Sequence, residues 1–129
     1  MKVLLDTHAF IWWDSDPVKL FPAARNACED PTNVVILSVV SALEMEIKLQ
    51  LGKLHLRLPL TDIIADHRQT NGIHVMSIDL AHVLALQDLP FHHKDPFDRL
   101  LVAQSLAEPM MLLTNDGILV GYGPLVQLV

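Results

Sequence analysis

Residues 3–13 read V-L-L-D-T-H-A-F-I-W-W, an apolar run of strand length that stops at a carboxylate and turns helical. Val3 to Leu5 is the strand, Asp6 ends it, and Phe10, Ile11, Trp12 and Trp13 carry a short helix that stops before Asp14, Ser15, Asp16 and Pro17. Outward from this unit the same alternation recurs. Pro22 stands where a first-turn proline opens a helix carrying Ala23, Ala24, Ala27 and Cys28. Asp30 to Asn33 form a turn, Val34 to Leu37 a β-branched strand, and Ser38 or Ser41 can cap a helix that Gly52 ends. A third strand is expected near Val75 to Ile78, helices around Asp79 to Leu86 and Pro96 to Ala107, and a strand over Met110 to Leu113 ending at Thr114, Asn115 and Asp116. Strands alternating with longer helical patterns predict an α/β fold with a mainly parallel sheet.

The chain has 129 residues, the length of about one domain, so a single domain over 1–129 is expected. Its 51% hydrophobic and 19% charged content favours a buried sheet or a partner-binding surface and excludes disorder. A lone Cys28 makes neither an internal disulfide nor a cysteine-based zinc site, so a cytoplasmic location is expected. Asp6 interrupts the apolar start before a signal-peptide core of about 7 to 15 residues can form, and no signal peptide is expected. The uncharged stretch Pro31 to Leu43 is well short of the roughly 20 residues that span a bilayer, so no membrane span is expected. The net charge of −6 counts against charge-driven nucleic-acid binding. That objection weakens if several carboxylates form one metal cage, because bound cations neutralise such a cluster.

The carboxylates carry the chemistry. Asp6 and Asp116 each follow an apolar strand, and the carboxyl ends of strands in an open α/β sheet form the crevice where ligands bind. An Asp after a strand also commonly caps the next helix, and for either residue alone that reading stands beside the first. Glu44, in S-A-L-E-M-E-I-K, borders an apolar stripe of Val40, Leu43 and Ile47, whereas Glu46 lies further round and faces water. It reads equally as a site acid or as half of an exposed pair with Lys48. In D-P-F-D-R, Asp95 is the N-cap, Pro96 the first helical residue, and Asp98 a first-turn acid that the helix dipole keeps ionised and able to bind a cation.

The seven histidines invite a zinc or acid–base reading, above all His8 and the pair His92 and His93. Adjacent histidines point in different directions and no H-x-x-x-H spacing occurs, so surface or loop roles are expected. Trp12 and Trp13 read as core and partner-facing surface before a base-stacking platform.

Together L-L-D-T-H-A-F-I-W-W, S-V-V-S-A-L-E-M-E-I-K with L-G-K-L, H-H-K-D-P-F-D-R-L-L-V-A-Q-S and L-L-T-N-D resemble the successive motifs of PIN domains, most closely the branch of VapC-type toxins. They cover most of the chain. The resemblance implies a PIN-like α/β/α sandwich and an endoribonuclease that hydrolyses RNA phosphodiesters with a metal-activated water. It implies Asp6, Glu44, Asp98 and Asp116 as catalytic residues holding one or two Mg²⁺ or Mn²⁺ ions, which all-carboxylate sites suit. Thr7, Ser41 and Asp95 are expected to cap helices or support those acids, and Lys48 and Arg99 to touch RNA. Lys53, Arg57 and Arg68 are further basic residues for phosphate contacts, although scattered solvated charge explains them equally well. A small antitoxin protein and a second copy of the chain are the implied partners.

Two rival enzymes each lack a group. An aspartyl-phosphate phosphatase needs a second acid two residues after its strand-end Asp, where this chain has His8. A receiver-type phosphoacceptor needs a lysine on a late strand, but Lys94 is the last lysine. A PIN-fold binding module without catalysis is the remaining alternative, and the intact acids argue against it.

Overall fold

In the computed structural model, which describes residues 1–129, Val3, Leu4 and Leu5 of the first strand, β1 (Lys2–Leu5), are all buried. A strand buried on both faces needs cover on both, and the helices provide it. After β1 come α1 (Thr7–Ser15), α2 (Pro22–Glu29), β2 (Val34–Ser38), α3 (Val39–Gln50), α4 (Leu60–Asn71) and β3 (His74–Met76). Then follow α5 (Leu80–Ala85), α6 (Pro96–Ala107), β4 (Met111–Thr114), a 3₁₀ segment over Gly117–Tyr122 and β5 (Val126–Leu128). The five strands pair in parallel throughout, in the order β3-β2-β1-β4-β5, giving the expected α/β/α sandwich. Alternate strand residues feed two cores. Val3, Leu5, Val35 and Leu37 pack with Phe10, Trp13, Ala24 and Ile63 on one side, while Leu4, Ile36, Leu112 and Val126 pack with Leu101 and Val102 on the other. No helix is long and apolar enough to cross a membrane.

Register sets the place of the site. Leu5 pairs with Leu37 on one side and Leu113 on the other, so β1, β2 and β4 end level. Asp6, Ser38 and Thr114 therefore stand side by side along the carboxyl edge. From β1 the chain passes to β2 on one flank and later to β4 on the other, the reversal of strand order at which open α/β sheets leave a crevice. Three helices begin at this edge on side-chain caps: Asp6 accepts from Ala9 N–H, Ser38 from Val40 N–H, and Asp95 from Phe97 and Asp98 N–H. The α3 cap is thus Ser38 and not Ser41, which lies inside the helix, because the extended β2 geometry reaches Ser38 before the chain turns.

Two elements have no counterpart in the sequence-based expectations, α4 and β5. The residues of α4 that point inward include His67, sandwiched between the rings of Phe10 and Trp13 at centroid distances of 5.2 and 4.9 Å. Its Nε2 lies 2.8 Å from Asp14, whose buried carboxylate also accepts two-pronged hydrogen bonds from Arg57. This polar knot pins α4 and the segment before it to α1. It also engages Arg57, which is therefore not free to meet a phosphate.

Arg99 overturns another expectation. Its side chain is buried, 7% exposed, and points into the protein instead of toward a substrate. The guanidinium donates to the carbonyl oxygens of Leu89, Pro90 and His93 and to the Tyr122 hydroxyl, with the Phe91 ring 4.0 Å from its central carbon. Planar, many-pronged donors suit this task, since several loop carbonyls would otherwise lack partners. Arg99 thus staples residues 89–93 onto α6, with its guanidinium engaged inside the protein. Removing it leaves buried acceptors unpaired, each at about 1–3 kcal/mol. Arg99→Ala is accordingly expected to destabilise the protein by at least about 2 kcal/mol in urea unfolding, and unchanged stability would refute the staple.

Candidate metal and RNA site

At the carboxyl edge lies a cleft of about 300 Å³ lined by Glu44, Lys48, Asp95, Asp98, Asn115 and Asp116, with His8 and Gly117 and no apolar side chain. A roomier cleft, about 570 Å³, lies at the amino edge among Cys28, Glu29, Asn33, Asn71 and His74, but no group of acids converges there. Asp6 sits behind the polar cleft, 2% exposed. Its Oδ1 accepts from Ala9 N–H at 2.7 Å, and its Oδ2 accepts from the Thr114 hydroxyl at 2.6 Å and Asn115 N–H at 3.3 Å. Burial raises its pKa, and the Thr114 hydroxyl and the two N–H groups pull the other way.

Glu44 is buried, whereas two of the three residues of the apolar stripe expected beside it are not. The inward face of α3 is Val40, Ser41, Glu44 and Met45, while Leu43 and Ile47 are exposed. Two hydrogen bonds make this orientation affordable: the Thr7 hydroxyl donates to Oε1 at 2.6 Å and the Lys48 ammonium to Oε2 at 2.7 Å. Thr7, the first residue of α1, thereby ties the start of that helix to α3. The Ser41 hydroxyl is buried without a hydrogen-bond partner, a polar atom of the kind usually found paired.

Asp98, in the first turn of α6, is pushed up to about 7. Burial is the main cause, followed by the charges of Asp95, Asp6 and Glu44, with His93 opposing them. Asp98 thus feels the charges of two of the other three acids expected from sequence. Asp116 joins from the other flank: its Oδ1 caps the 3₁₀ segment through Ile118 N–H, and its Oδ2 lies 2.7 Å from His93 Nε2. That nitrogen is also 3.5 Å from Asp98 Oδ2. His93 is a loop residue, as expected, and its ring reaches two of the acids. No spacing signal announced it, because it reaches the acids only through a loop held by Arg99 and Tyr122. Thr114 is the other residue sequence reasoning passed over.

Hard carboxylate oxygens dominate the donor set, the nearby cations and imidazoles are few (Lys48, His8 and His93), and the cleft is open to water-sized ligands. Such a set fits a hard divalent cation that keeps part of its hydration shell.

Comparison with known proteins agrees with this geometry. Residues 3–122 match the family model of the PIN domain. The chain is 29% identical over 117 residues to Ribonuclease VapC22 of Mycobacterium tuberculosis, an alignment covering 88% of this chain and 86% of that protein. Its fold is similar to a chain in the crystal structure of VapBC2 from Rickettsia felis bound to a DNA fragment from their promoter, with a TM-score of 0.72 and 14% identity over 100% of this chain and 98% of the other. Because the matched model spans residues 3–122 of the 129, the chain belongs to the PIN-domain family.

Proposed function

We propose that the chain, as one domain, is a Mg²⁺- or Mn²⁺-dependent endoribonuclease acting in the cytoplasm as the toxin of a toxin–antitoxin pair. The observation that carries this reading is the convergence of Asp6, Glu44, Asp98 and Asp116 on one crevice, the last three lining it. The likeness to Ribonuclease VapC22 supports RNA as substrate, and the fold shared with a VapBC2 chain supports an antitoxin partner. Asp6, Glu44, Asp98 and Asp116 would hold one or two divalent ions, which when bound would activate a water and offset charge on a phosphodiester.

The chain's own residues do the remaining work. Thr7 and Thr114, through their hydroxyls, keep Glu44 and Asp6 turned toward the cleft. Asp95 caps α6 with its side chain and so aims the first turn that carries Asp98. Lys48, in the cleft wall, is the cation placed to meet a substrate phosphate, exchanging its bond to Glu44 for one to the backbone of RNA. Exposed Leu43, Ile47 and Leu51 share one side of α3 and offer an apolar strip for the second copy of a homodimer.

Purified protein is expected to cleave single-stranded RNA with Mg²⁺ or Mn²⁺ and to stop in EDTA. Asp6→Asn should lower the rate by at least roughly 100-fold, the upper end of losses seen when ligands lose support, and should abolish growth arrest on induction. Undiminished cleavage in excess chelator overturns the metal reading. In metal-free protein, folding favours protonated Asp98, so the folded chain holds a proton that the unfolded chain has released between the ordinary carboxylate value of 3.8 and about 7. Stability should therefore fall as pH rises through that window. Asp98→Asn should flatten the fall and raise the melting temperature at pH 8, while eliminating metal binding; a steep pH dependence surviving in this variant would place the repulsion elsewhere. Asp95→Ala should lower stability by about 1 kcal/mol, the scale of a lost N-cap, yet retain measurable cleavage, and a dead but equally stable variant would make Asp95 a ligand.

A further inference from the structure

His93, Asp98 and Asp116 bring an imidazole nitrogen and two carboxylates within 4.8 Å of one another, the spacing of a mixed nitrogen and oxygen metal site. The hydrogen bonds around the ring point to a different role. Asp95 N–H donates to His93 Nδ1 at 2.9 Å, so Nδ1 is an acceptor and the hydrogen of the neutral ring sits on Nε2. A histidine nitrogen that binds a cation must present a lone pair. Were Nε2 to do so, the ring hydrogen would move to Nδ1 and meet the Asp95 N–H head on.

That N–H cannot easily turn away. Asp95 is fixed by its bonds to Phe97 and Asp98 N–H and by Pro96 in the next position. The histidine backbone is equally constrained, since His93 N–H donates to the Tyr122 hydroxyl at 3.1 Å and His93 O accepts from Arg99. Tyr122 in turn donates to Pro90 O at 2.7 Å. The loop is held at its carbonyls, its amide and its ring, all to present one N–H.

We infer that His93 is a positioning residue whose tautomer is locked by the backbone, so that it holds Asp116 in place as a hydrogen-bond donor and does not itself bind the metal. The inference deepens the ribonuclease reading and rests on it. With Oδ1 on Ile118 N–H and Oδ2 on His93, Asp116 has both oxygens oriented while each retains a lone pair for the cleft. The Nε2 hydrogen also lies beside Asp98, between two carboxylates that otherwise repel. Donors that orient a ligand in this way sustain metal affinity over a range of about 10–100-fold.

The test compares wild type, His93→Gln, which keeps an N–H near the Nε2 position, and His93→Phe, which keeps a ring without a donor. Calorimetry with Mn²⁺ alone should show affinity roughly 10–100-fold weaker in His93→Phe and nearly restored in His93→Gln, with cleavage following the same order. A role confined to packing would lower the melting temperature and leave Mn²⁺ affinity unmoved, which would overturn the inference. Two measurements on wild type hold even if His93→Phe does not fold. Nitrogen-15 NMR of the metal-free protein should show a protonated Nε2 and a bare Nδ1, and the opposite pattern refutes the lock. Electron spin-echo spectra of bound Mn²⁺ should lack coupling to a directly bound imidazole nitrogen, and its presence makes His93 a ligand. Wild type that folds with the expected tautomer yet binds no Mn²⁺ would overturn the metal reading, and this role with it, a result distinct from every failure of the lock.

Discussion

A carboxylate 2% exposed at the end of a central strand must find donors, and the donors Asp6 finds determine how the carboxyl edge is built. Ala9 N–H supplies one and so starts α1; the Thr114 hydroxyl and Asn115 N–H supply two more and tie β1 to the end of β4. The crevice at the switch in strand order is held open by groups that satisfy this one acid. Burial acts on Asp98 as well, and with the charges of Asp95, Asp6 and Glu44 around it the carboxyl is pushed up to about 7 while remaining beside the cleft.

How far the sequence disclosed this depends on whether a feature is local. Strands buried on both faces advertise themselves as unbroken apolar runs, so Val3–Leu5, Val34–Leu37 and the strand before Thr114 are legible, and the helix cap at Asp95 follows from the D-P pair alone. Asp6, Asp98 and Asp116 are legible because each stands at a strand or helix end, whereas Glu44, in the middle of α3, joined them only through the family resemblance. Periodicity, however, reports which residues share a face and not what that face meets. In α3 it pointed Leu43 and Ile47 inward, while the structure turns Glu44 inward, where Thr7 and Lys48 compensate its charge. The third strand lies at His74–Met76, offset from Val75 to Ile78 by the residue-level uncertainty of any edge strand. The helix α4 escaped notice because its inward positions include His67, an apolar-core residue only once Asp14 and Asn71 have engaged its nitrogens.

Arg99 lies inside the protein and the loop residue His93 reaches the acids for a related reason. A basic residue beside an acidic motif suggests substrate contact, and a histidine in a polar loop suggests solvent. The segment between them settles both: its carbonyls need donors, Arg99 is the nearest rigid source, and the loop so fastened carries His93 back to the acids. Charge and position in the chain held half of this information. The other half was the hydrogen-bond demand of backbone that no side-chain pattern records.

The bond from Thr114 to Asp6 joins residues separated by 108 positions. Ribosomes release a chain from its amino end at about 5–20 residues per second, so β1 and α1 leave the tunnel well before the strand that completes the crevice. Until Met111–Thr114 emerges, Asp6 lacks its strongest donor and Asp116 does not yet exist as a neighbour. Chains truncated or stalled before Met111 therefore lack the complete acidic crevice, which forms only once the strand carrying Thr114 has been made.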